Sequence, residues 1–84
     1  MRTYKLHISC EDKHAGSWEL PTESIKAKSR RDAEDAAVDR GCEEMTGNLP
    51  AACVRIGIEP VSPDESGCEV EITGTYNDPE VTVW

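Results

Sequence analysis

The imidazoles and thiols, which can ligate zinc or serve as nucleophiles, are few in this sequence: His7, His14, Cys10, Cys42, Cys53 and Cys68. Three of them spell H-x-x-C-x-x-x-H over His7, Cys10 and His14, and Zn²⁺ accepts both imidazole and thiolate. The segment around them alternates apolar and polar residues as a strand does, and strand positions three apart point to opposite faces. His7 and Cys10 therefore diverge, and no metal ligand is assigned. A catalytic cysteine needs a base within hydrogen-bond reach, and a carboxylate pair needs environments that separate the two pKa values. With 17 Asp and Glu in 84 residues, neighbouring carboxylates arise by chance and indicate nothing. There is no glycine-rich phosphate loop and no Ser-His-Asp pattern. The expectation is a protein that is not an enzyme, with no catalytic residues and no cofactor.

Charge is the stronger chemical signal. The formal net charge is -8, and it is unevenly placed. Residues 1–31 hold seven Lys/Arg against four Asp/Glu, a net of +3, while residues 32–84 hold two against thirteen, a net of -11. Such asymmetry speaks about partners and solubility rather than fold. Direct nucleic-acid binding is disfavoured. Lys5, Lys26, Lys28, Arg30 and Arg31 could share a patch with His7 and Arg55, but the net charge opposes phosphate, and there is no Phe to stack on bases.

Eighty-four residues make one domain, 1–84, with a single core. No apolar run approaches the ~20 residues of a membrane span, and the opening RTYKLHISC alternates instead of forming the apolar block of a signal peptide. These features predict a cytoplasmic address with no membrane partner, and hence reduced thiols. Cys10, Cys42 and Cys68 fall at apolar positions and read as small buried hydrophobes.

The elements that must position these charges centre on Ile25 to Met45, where a strand runs into the chain's one convincing helix. Ser29 is placed to cap a helix starting at about Arg30, with Asp32 reaching back as in a capping box. At ~100° per residue, Ala33, Ala37, Val38, Gly41, Cys42 and Met45 share one half of the wheel, interrupted by Glu34 and Glu44. Asp32, Asp35, Asp39 and Glu43 form an acidic ridge on the opposite side, ~16 Å long at the helical rise. Gly47, Asn48 and Pro50 supply a left-handed cap and a stop.

Around the helix the pattern is β. Tyr4, Leu6, Ile8 and Cys10 point one way, and Thr3, Lys5, His7 and Ser9 the other. Glu11 to Gly16 reads as a turn. Trp18 and Leu20 resume the alternation, Pro21 breaks it, and Ile25 and Ala27 restore it, as in a kinked edge strand or two short ones. Val54, Ile56 and Ile58 face inward, followed by a turn-rich loop from Ser62 to Gly67. Cys68, Val70, Ile72, Gly74 and Tyr76 are expected inside, with Glu69 and Glu71 outside. Asn77 to Pro79 turns the chain into a last strand with Val81 and Val83 on one face and Thr82 and Trp84 on the other. The predicted fold is α+β: one antiparallel sheet of four to five strands, in the chain order β-β-α-β-β-β, with one helix packed on one face.

The ridge has a bland reading, a solvated helix face, and a sharper one. Glu43 and Glu44 lie at the end of the helix where the macrodipole favours cations, and Arg30 and Arg31 at the start where it favours anions, although Glu34 and Asp35 follow each at i+4. Carboxylates kept at a cost point to an external use. Trp84 is either a lid over a sheet edge or an exposed anchor, with core packing as the default. The partner-binding residues expected on this basis are Asp32, Asp35, Asp39, Glu43, Glu69, Glu71 and Trp84.

In layout, with its strand-to-helix run IKAKSRRDAEDAA and surplus carboxylates, the chain resembles the small acidic proteins with which phages and mobile elements block host defence, the anti-CRISPR proteins. That resemblance implies stoichiometric inhibition, in which an acidic surface occupies the basic, nucleic-acid-receiving surface of a complex such as a CRISPR effector. The alternative expectation is a small homodimeric structural or regulatory module, antitoxin-like, that binds through its last strand.

Overall fold

Alternating hydrophobicity builds five of the strands and a stripe of small residues builds the helix. The computed structural model describes residues 1–14, 16–46, 51–75 and 77–84. Its elements are β1 (Arg2–Asp12), β2 (Gly16–Glu19), β3 (Glu23–Ala27), α1 (Arg30–Glu44), β4 (Cys53–Pro60), β5 (Cys68–Thr75) and β6 (Asp78–Val83). The strands form a single antiparallel sheet in the order β2-β1-β4-β5-β6, and β3 pairs with β1 beside β2. The fold is α+β with one helix on an open sheet, as expected.

The sheet has six strands. The extra one arises at Pro21, which has no N–H to donate and splits one edge strand into β2 and β3. β2 pairs with Ser9 to Asp12 of β1, and β3 with Arg2 to Leu6. Two turns are also tighter than the sequence implied. Glu11 and Asp12 still belong to β1, and Gly16 opens β2. Asp78 and Pro79 already belong to β6, paired with Thr75 and Gly74. Gly74 is exposed and has φ +92, a left-handed conformation that disfavours any side chain; it bends the hairpin and contributes nothing to the core. The caps expected at Gly47, Asn48 and Pro50, and the inward Tyr76, lie outside the described residues.

The inner face is a continuous apolar ladder. Leu6, Ile8 and Cys10 lie opposite Ile58, Ile56 and Val54, and the latter three lie opposite Cys68, Val70 and Ile72. All but Cys68 are at most 2% exposed. Burying a Leu, Ile or Val is worth up to about 1.5–3 kcal/mol, so this ladder is the main favourable term.

Ser29 caps α1, its hydroxyl accepting from the Asp32 N–H at 3.4 Å. Ala33, Ala37, Gly41 and Met45, four apart, are buried against the sheet, with Val38 and Cys42 partly buried at their sides. Gly41 marks the closest approach: a Cβ there would collide with Ile72 Cδ1 while meeting Ile56 and Val54 at ordinary contact distance. This yields a coupled prediction. Gly41→Ala gains ~0.8–1 kcal/mol of helix propensity but meets Ile72, whereas Ile72→Val removes the clashing carbon. In a double-mutant cycle by urea denaturation, the pair is more stable than the sum of the single changes by ~0.5–3 kcal/mol.

Candidate functional site

Asp32, Asp35, Asp39 and Glu43 are all exposed, on the side of α1 turned away from the sheet. Two of the helix's three arginines are drawn elsewhere, and the third, Arg31, is exposed four residues before Asp35. Arg40 ties the helix to the sheet: its Nε and Nη2 donate to Glu23 on β3 at 2.9 and 2.8 Å, and its Nη1 to Glu44 at 2.6 Å. Glu43 lies 3.9 Å from the same guanidinium, at the margin of an ion pair. The bonds to Glu23 and Glu44 hold the Arg40 pKa above its ordinary value. Arg30 lies 3.6 Å from Glu34 and donates to the Ser66 carbonyl at 3.3 Å. Glu44 therefore has a local cation despite its unfavourable place on the macrodipole. Asp35 and Asp39 lie outside these ion pairs and face solvent.

Glu69 and Glu71 are not part of this surface. They sit on the uncovered face of the sheet, opposite Gly57 and Arg55 of β4, so the sheet separates them from the helix. Glu71 accepts from Arg55 Nε at 2.8 Å, a contact that also raises the Arg55 pKa. Trp84 lies on that same open side. Its backbone exchanges hydrogen bonds with Glu69 at 2.8 and 3.0 Å while 63% of the residue stays exposed. Core packing of Trp84 is thus overturned: among the described residues no helix lies over that face. The expected site resolves into an acidic ridge on α1 and a mixed patch on the open sheet.

The open face is a mosaic of both signs. Lys5 lies opposite Glu59, and His7 Nε2 is 3.1 Å from Glu59 Oε1 with Thr22 Oγ1 3.3 Å from its other nitrogen. Two cations of the supposed nucleic-acid patch thus meet carboxylates: Arg55 meets Glu71 and Arg30 meets Glu34. Gly57, lacking a side chain between His7 and Glu69, opens a wide recess of about 690 Å³ onto solvent.

No family model, curated protein or solved structure matches this chain. Functional reading therefore rests on its own chemistry.

His7 and Cys10 do diverge, His7 outward and Cys10 into the core. Among the described residues no group of three or more His, Cys, Asp or Glu is arranged to hold a metal ion. The four thiols are unpaired. Burial raises the pKa of Cys10, Cys53 and Cys68, aided at Cys68 by its hydrogen bond to Glu34.

Sequence reasoning missed the Glu23–Arg40 link. The Arg40 to Glu44 spacing is visible as i,i+4, but Glu23 reaches the helix only because β3 restarts after Pro21 with Glu23 on the inner face. It also missed the clasp on the loop after β4, where the Tyr4 hydroxyl donates to Glu65 at 3.0 Å and Arg2 lies 3.3 Å from the same carboxylate.

Because the three thiols hold their protons more tightly when folded than when unfolded, they contribute stability that is complete below the unfolded thiol value. That stability is lost as pH rises through the folded values. Urea midpoints should therefore fall as pH is raised above about 9, and alkylation of Cys10 at pH 8 should be slower than that of the unfolded chain. Replacing Arg40 by Met strands Glu23 beside Glu44 and should cost about 1–2 kcal/mol in urea denaturation, less at high salt.

Proposed function

We propose that this protein is a non-enzymatic interaction protein that binds a basic protein surface through the outward face of α1. The observation that supports the reading is the division of labour on the helix. Arg30 and Arg40 are tied to Glu34, Glu23 and Glu44. Asp32, Asp35 and Asp39 are left exposed in a row. Like charges at i,i+3 and i,i+4 repel, a cost that Arg31, four residues before Asp35, offsets only in part.

A ridge of carboxylates set at helical spacing presents to a protein what a phosphate backbone presents: anions along a rigid rod. The partner is accordingly a Lys/Arg-rich surface that ordinarily receives nucleic acid, a CRISPR effector or another nucleic-acid-binding complex being the instance the layout favours. Inhibition follows from occupancy alone and requires no chemistry on the partner. Glu69, Glu71 and Trp84 lie behind the sheet and take no part in this contact.

Capture from bacterial lysate at low salt, followed by elution with salt and separately with added duplex DNA or RNA, tests the reading. The captured protein should be released by both, since phosphate competes for the same cations. A variant carrying Asp32→Lys, Asp35→Lys, Asp39→Lys and Glu43→Lys should associate roughly 10- to 1000-fold more slowly. Unchanged binding by a folded quadruple variant removes the ridge from the mechanism.

A further inference from the structure

β6 is the outermost strand of one sheet edge, and its free side has a definite pattern. Glu69 and Trp84 exchange both backbone hydrogen bonds, which sets the phase of the ladder. With Glu71 opposite Thr82 and Thr73 opposite Glu80, the backbone groups of Thr82 and Glu80 also turn to β5. Those of Val81, Val83 and Pro79 turn outward, and Pro79 has no donor to offer. The Val81 and Val83 side chains stand on the helix side, 44% and 49% exposed, beyond the cover of α1. The opposite edge is broken at Pro21 into β2 and β3 and bears exposed Lys26 and Lys28, devices that discourage strand addition.

We propose that β6 pairs antiparallel with β6 of a second copy of this chain, about a two-fold axis passing between the two Thr82 residues. In that register Val81 of each copy exchanges both hydrogen bonds with Val83 of the other, so every free donor of the edge finds an acceptor and Pro79 falls outside the pairing. The residues that meet are compatible. Thr82 faces Thr82, Glu80 faces Trp84 of the second copy, and no side-chain carboxylate is placed directly opposite another. The four valines close into one apolar patch on the helix side. Shifting the axis to Val81 would instead oppose Val83 to Pro79 and leave the Val83 carbonyl without a donor. A second copy satisfies this edge by symmetry, whereas an arbitrary strand has no reason to match its pattern. The protected far edge ends the assembly at two copies.

This inference is independent of the acidic-ridge reading and carries the opposite salt dependence. Two chains of net charge -8 repel, so added salt strengthens the dimer while weakening a contact with a basic partner. Sedimentation across a concentration series should show self-association to a dimer that tightens with salt. Val81→Pro removes an outward N–H and none of the bonds to β5, so it should abolish the dimer with an unchanged circular dichroism spectrum. Thr82→Cys provides a separate readout. Its Cα should lie ~4.5 Å from that of the second copy, within disulfide range, whereas Glu80→Cys is left roughly 13 Å from its counterpart. On oxidation the Thr82→Cys variant should form a disulfide-linked dimer through the introduced thiols, mapped by mass spectrometry, in large excess over the same self-linking by the Glu80→Cys variant. A wild-type chain that stays monomeric at all concentrations and salts, or a Thr82→Cys variant that self-links no more than Glu80→Cys, overturns the proposal.

Discussion

The structure depends on how closely α1 can lie on β4 and β5. Ala33, Ala37 and Gly41 present almost no side chain, so the helix backbone settles onto Val54, Ile56 and Ile72. A glycine inside a helix costs ~0.8–1 kcal/mol relative to alanine. Here that cost is offset because the approach seals branched aliphatic residues that would otherwise border a void. With two Trp, two Tyr and no Phe, the chain has few bulky groups with which to fill a wider gap. Thin layers and small contact residues are two sides of one solution.

Once the helix is seated, its charges have to be distributed. The flanks of the buried stripe receive Glu34 and Glu44, both half-buried, and each is met by an arginine four residues earlier. Arg40 then reaches past the helix to Glu23, so that the same guanidinium ties the last turns of α1 to the split edge of the sheet. Using Arg30 and Arg40 at the flanks leaves the crest to Asp32, Asp35 and Asp39, with only Arg31 beside them. The exposed ridge thus holds the carboxylates that the cations used in packing do not reach.

Much of the fold could be read from period alone. Tyr4 to Cys10, Val54 to Ile58 and Cys68 to Ile72 alternate without a break, and the small-residue stripe has a spacing that only a helix places on one face. The limits were those of local information. Pro21 announced a break without saying whether the halves would be a bend or two strands, because that depends on both halves finding the same edge of β1. Trp84 was misjudged for a similar reason: alternation gives its face but not whether anything covers that face. Glu69 and Glu71 carry the right charge for the acidic surface and the wrong side, a distinction made by the sheet rather than by composition.

The exposure of β6 follows from dimensions. Five columns of strand at ~4.8 Å spacing span about 19 Å between the outermost axes, and a helix with its side chains is ~10–12 Å across. One helix therefore covers two or three columns, and α1 sits over the centre, on β4 and β5 with β1 and β3 at its side. A sheet this wide with a single helix must leave an edge bare. The chain resolves this differently at its two margins, by fragmentation and lysine on one and by an unbroken apolar strand on the other. An antiparallel pairing of the bare edges keeps both helices on the same side of the joined sheet, because the two-fold axis stands perpendicular to it. The two acidic ridges would then face one way, and a basic partner spanning both would gain from the second contact in proportion to how well their separation matches its own charges.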